Sequence, residues 1–135
     1  MHTLSLSEQQ VSLINEMTRV RPVLEPALDY GDNTHNYIDI LNGVVGGRYH
    51  LWHTPNSALI TDFHIYPNKK YLHIFLAGGD LDEIKGMHEQ VVGFAKSMGC
   101  NGLTLTGRPG WIKALADLGF GTDGLRYVTK EFADE

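Results

Sequence analysis

Apolar residues recur along this chain with two distinct periods. Between Ser7 and about Val20, the run SEQQVSLINEMTRV places Val11, Ile14, Met17 and Val20 three residues apart, the spacing that lines one face of an α-helix. Ser7 precedes that face and Gln10 comes three residues on, so the two side chains suit a reciprocal cap of the first turn. Pro22 and Pro26 are expected to disrupt the stretch after Val20, since an interior proline removes an amide donor and crowds the preceding turn. YGDNTHN is turn chemistry, and a second short helix is predicted over roughly Thr34 to Leu41.

After NGVVGG the period falls to two. The segments RYHLWHT (48–54), SALITDFHIY (57–66) and KKYLHIFLA (69–77) are rich in aromatic and β-branched residues and are separated by Pro-Asn turns, which predicts an antiparallel meander. Asp80 then offers a cap for a long helix to about Met98, along which Ile84, Met87, His88, Val91, Phe94, Ala95 and Met98 repeat at helical spacing. GLTLT (102–106) reads as a short strand. The stretch TGRPGWIKALADLGFG predicts a short helix with Pro109 at its first position, Trp111, Leu115 and Leu118 on one face, and Gly119 at its left-handed stop. LRYVTKEF (125–132) alternates as a final strand.

The predicted order is therefore α, α, β, β, β, α, β, α, β. Its strand, helix, strand unit calls for parallel pairing between the strands at 69–77 and 102–106. The expected fold class is α/β, or α+β: a mixed, mostly antiparallel sheet with one βαβ unit and helices on both faces, in a single domain over 1–135.

Composition narrows the partners. Hydrophobic residues at 42% and charged residues at 20% are ordinary globular values, and no apolar run approaches the ~18 residues of a membrane span. The start MHTLSLSEQQ lacks the features of a secretory signal, so a soluble cytoplasmic protein with no membrane partner is expected. A net charge of −5 without a basic run argues against nucleic acid. Cys100 is the one cysteine, which excludes an intrachain disulfide and a cysteine zinc site; it reads as a small buried residue.

The element order, together with GWIKALADLGF, resembles the GNAT superfamily of acyl-CoA-dependent N-acyltransferases. It is also similar to the small GNAT-like proteins of tailed bacteriophages, which would place it in the host cytoplasm or the virion. The resemblance implies that the strand before the long helix splays from its parallel neighbour and receives the pantetheine arm of acetyl-CoA or CoA as an added strand. The residues it points to are Phe75, Leu76, Ala77, Gly78 and Gly79, with Trp111 on the helix that closes the site.

The superfamily's diphosphate loop falls here on AGGDLDEIKG, where Gly78 and Gly79 permit close backbone approach but Asp80, Asp82 and Glu83 set three carboxylates against two phosphates. Acidic residues in a first turn also stabilise any helix, so these acids have a purely structural reading as well. The superfamily's helical tyrosine acid falls on Leu115, which leaves Tyr127 on the last strand as a candidate acid, or as packing. His73, on the strand entering the cleft, is the candidate base; a strand histidine is also a common packed residue.

His50, His53, His64 and His73 lie on neighbouring predicted strands, but His50 and His53 have opposite parity and no acidic ligand is fixed, so no metal centre is expected. Two functions remain open. One is an N-acyltransferase acting on a small-molecule or protein amine. The other is an inactive GNAT-like phage structural or host-interaction protein, as a homo-oligomer or in a virion, in which Trp52, Tyr66 and Tyr71 either form an interface or are buried in the core.

Overall fold

A computed structural model describes residues 6–29, 35–106, 121–122 and 127–131, with side chains for 6–29 and 35–105. The helix expected after Pro109, with Trp111, lies outside the described residues, as does the side chain of Tyr127.

Helix α1 spans Glu8–Leu28 and α2 spans Tyr37–Val45. Strands β1 (His50–Thr54), β2 (Ser57–Ile65) and β3 (Lys70–Gly79) form the expected antiparallel meander. Two short helices come next, α3 (Leu81–Gly86) and α4 (His88–Ser97), then β4 (Gly102–Thr106), β5 (Gly121–Thr122) and β6 (Tyr127–Glu131). The described strands form one sheet in the order β1-β2-β3-β4-β6-β5, in which β3 and β4 are the parallel neighbours.

Each face of the sheet carries its own core. On one side Met17, Val20 and Leu24 of α1 and Tyr37, Ile40 and Val44 of α2 bury against Ala58, Ile60 and Leu76. On the other, Ile84, Met87, Val91 and Ala95 of α3 and α4 cover Leu59, Leu72, Ile74, Leu103 and Leu105. Cys100 is buried in this second core, and burial pushes its thiol up, which suits an inert packing residue.

Three elements depart from the sequence pattern. Helix α1 runs through both prolines, because Pro22 and Pro26 sit four apart on its exposed side, where water can reach the carbonyls they leave without a donor. Val20 and Leu24 meanwhile bury the opposite side and hold the helix to the sheet. The long helix expected from Asp80 is two helices, which meet at Met87 just after Gly86, a poor helix former. Strand β5 has two residues, too few to leave a period in the sequence.

No helix among the described residues is long and apolar enough to cross a membrane.

Candidate functional site

The site is set by how β3 is paired along its length. Tyr71, Leu72, His73 and Ile74 lie in register with Gly102, Leu103, Thr104 and Leu105 of β4, and there the described β3–β4 ladder ends. On its other edge β3 stays with β2 as far as Ser57 opposite Gly79. Phe75 through Gly79 therefore have no partner on the β4 side among the described residues.

A bulge coincides with the parting. Thr61 pairs with Ile74 and Ile60 with Leu76, which leaves Phe75 as an extra residue in β3. Alternation fails there: Phe75 and Leu76 both turn toward the α1 and α2 core, while Ile74 and Ala77 face the α3 and α4 core. The half-buried Phe75 ring packs 4.9 Å from Tyr49 and 6.0 Å from His35, the residue preceding the α2 cap.

Close to the bulge, a polar cluster crosses β2, β3 and β4. His73 is buried, with Nδ1 at 2.7 Å from the Thr104 hydroxyl and its ring stacked on His64 at 4.1 Å and 22°. Burial, reinforced by the neighbouring His64, pushes the His73 pKa down to about 3, so this imidazole is neutral across the physiological range. Asp62 is the cross-strand partner of His73. Its Oδ1 lies 3.6 Å from His64 Nε2, yet that oxygen is buried and has no hydrogen-bond donor among the described residues. Burial raises the Asp62 carboxyl, against the opposing fields of His64, Arg48, His50 and His35.

The other candidate residues fall on either side of this cluster. Phe75, Leu76 and Ala77 line the parted half of β3. The close approach that Gly78 and Gly79 allow is taken up by the chain itself. A Cβ on Gly78 would collide with the Val23 carbonyl oxygen, and one on Gly79, whose φ is +105°, would collide with that of Asn56. The backbone of Tyr127 pairs with Thr106, just past the last β4 residue joined to β3.

The acids at α3 have structural partners. Asp80 accepts from the Glu83 amide at 3.1 Å, and its own amide donates to the Ser57 hydroxyl at 2.8 Å. Glu83 accepts from the Asn56 amide at 3.1 Å and so ties α3 to the β1–β2 turn. Asp82 is exposed in the same first turn.

The histidines divide as their parity implies. His50 lies against Phe63 and Phe94 on the α4 face, whereas His53 joins Arg19 and Glu16 beside α1, apart from the His64–His73 stack. Among the described residues no group of three or more His, Cys, Asp or Glu side chains could hold a metal ion. The three aromatic residues Trp52, Tyr66 and Tyr71 do not share one face. Trp52 packs on Phe94 and donates to Thr61 on the α4 face, while Tyr71 shares the opposite face with His73 and meets Tyr66 edge-on at 6.2 Å.

Asp62 and Thr104 are the members of the cluster that the sequence pattern did not single out, and for Asp62 the omission matters. A signal for it exists: an aspartate inside an otherwise β-branched and aromatic strand, at a position that strands disfavour.

The fold itself has counterparts. No family model matches the chain, and no curated protein does. Among solved structures, a chain described as "Crystal structure of the NatC complex bound to Gag peptide and CoA" superposes with a TM-score of 0.57 at 13% identity, over 98% of this chain and 97% of that one. The architecture is accordingly GNAT-like.

Proposed function

We propose that this protein transfers an acyl group from an acyl-CoA to an amine. The observation that carries this reading is the parting of β3 from β4 after Ile74 and Leu105, with the Phe75 bulge at the same point. A strand edge released from its neighbour offers backbone donors and acceptors to an extended ligand, so the pantetheine arm would be held along Phe75, Leu76 and Ala77. That edge fits the arm. The start of α3 does not fit the diphosphate, since Asp80 occupies the Glu83 amide and Asp82 adds a repelling charge.

Acyl-CoA supplies an activated acyl carbon. The chain's own contribution is orientation and proton handling. Backbone amides of Phe75 to Ala77 would polarise the acyl carbonyl, and the amine would enter on the α1 and α2 face, over His73. Neutral and held by Thr104, His73 would accept a hydrogen bond from the amine or pass its proton onward; an imidazole depressed to about 3 retains little of it. Tyr127, opposite Thr106, is the proposed acid toward the leaving thiolate.

The acidic start of α3 favours a second reading, in which the GNAT-like frame has lost acyl-CoA and serves as a phage structural or host-interaction protein. Thermal unfolding with and without CoA separates the two. Under the transferase reading, CoA at 100 times its Kd stabilises by about 2.7 kcal/mol and raises Tm by several degrees. Acetyl-pantetheine should bind within about tenfold of acetyl-CoA, because α3 contributes little to the diphosphate. No shift with either ligand at millimolar concentration would favour the second reading.

A further inference from the structure

The polar cluster contains one group that this mechanism leaves without a role. Asp62 projects from the middle of β2 onto the same face as His73, two positions along from Ile60, which pairs with Leu76 at the parted edge. A carboxylate so placed needs donors, and for its Oδ1 the described residues provide none. The His64 imidazole stands off at 3.6 Å and is itself part-exposed. Arg48 and His35 act on Asp62 through their fields: the Arg48 guanidinium lies over the Tyr49 ring at 5.3 Å, and His35 lies against Phe75 and Tyr49. Thr104, the remaining polar side chain of the cluster, is engaged with His73 Nδ1.

We infer that the Asp62 carboxylate is the docking point and first proton acceptor for a primary ammonium group, and that His64 passes the proton to solvent. An ammonium supplies the donors that the buried oxygen lacks, and its charge matches a carboxylate whose neighbouring cations are held at a distance. The inference rests on the proposed transferase reading and names its acceptor: a primary amine presented as its cation.

The protons balance. Asp62 takes one proton from R–NH3+ and frees the nitrogen lone pair. That proton moves to the free ring nitrogen of a neutral His64, whose Nε2 lies 3.6 Å away, and from the part-exposed imidazole to water. The nitrogen–carbon bond forms as the carbon–sulfur bond breaks, Tyr127 gives its proton to the leaving thiolate, and the second nitrogen proton restores Tyr127. The raised Asp62 carboxyl supports this role, because a base is more effective as its pKa approaches the working pH. His73 is then the positioning residue, packed between Thr104 and His64.

The test is NMR on the isotopically labelled full chain, tracking the Asp62 carboxyl carbon and the His64 ring protons. n-Butylammonium chloride is titrated in, with tetramethylammonium chloride at equal ionic strength and 1-butanol as controls. Saturable shifts with butylammonium, at least tenfold weaker for the two controls and lost in Asp62→Asn, are expected. Asp62→Asn should melt higher than the parent, since an isosteric neutral amide replaces a buried charge, and should bind CoA within about twofold. In His64→Gln, butylammonium should still dock, while the Asp62 carboxyl titrates at higher pH without the lowering influence of His64. Equal response to tetramethylammonium, or an undiminished response in Asp62→Asn, overturns the inference. CoA binding without any butylammonium response overturns it while leaving the transferase reading intact; butylammonium docking without CoA binding does the reverse.

Discussion

Strand β3 behaves as two strands in sequence. Its first half, up to Ile74, is joined to β2 on one edge and β4 on the other, and Leu72 there is fully buried. Its second half, from Phe75, keeps β2 alone among the described partners, and Phe75 is only half-buried. The first half pins the sheet, and the second is the edge along which the proposed acyl-CoA arm would lie. One change of register at one residue separates the two.

That contrast should appear in unfolding free energies. Leu72→Ala removes a fully enclosed side chain and should cost about 3 kcal/mol, whereas Phe75→Ala, which empties a part-exposed position, should cost roughly 2 kcal/mol. Urea denaturation measures both. A larger loss at Phe75 would mean that the parted half is the true anchor.

The next effect is pH-dependent and belongs to the joined half. Below about pH 6.5 the unfolded chain protonates His73, but the folded chain resists until about pH 3. Stability contributed by this residue is therefore lost as pH falls through that window, by up to ~1.4 kcal/mol per pH unit. Asp62 works in the opposite sense: its raised carboxyl favours the fold at low pH, and that contribution disappears as pH rises through its folded value. Comparing His73→Asn with the parent from pH 4 to 7 isolates the histidine, and parallel stability curves would show that burial does not hold it neutral.

The smallest expected change lies at the end of the parted half. Asp80→Ala removes the α3 cap and should cost about 1 kcal/mol. Because the same substitution removes a carboxylate, CoA affinity should hold or rise, as isothermal titration would report.

Much of this frame is legible in the sequence because period and punctuation encode it. The meander, the parallel return to Gly102 and the two-faced core are written in the alternation at 48–77 and in the helical spacing of Ile84, Val91 and Ala95. The bulge is not legible. Phe75 and Leu76 are both apolar, so nothing in their identity marks where alternation fails. The passage of α1 through Pro22 and Pro26 depends on the sheet holding Val20 and Leu24, a tertiary effect that overrides local preference. His73 is identifiable because it lies on the strand entering the cleft, but its surroundings come from His64 and Thr104, on strands that only the fold brings beside it.

Arg19 has a consequence for the chain's integrity. From α1 it donates to the carbonyls of Thr54 and Pro55, meets His53 Nδ1 and also grips Glu16. A helix that carries two prolines is thus bolted to the first hairpin at the turn whose next residue, Ser57, pairs with Gly79. Shortening the protein from its amino end past this bolt would strip the cover from Ala58, Ile60 and Leu76 and turn a folded interior into a sticky surface.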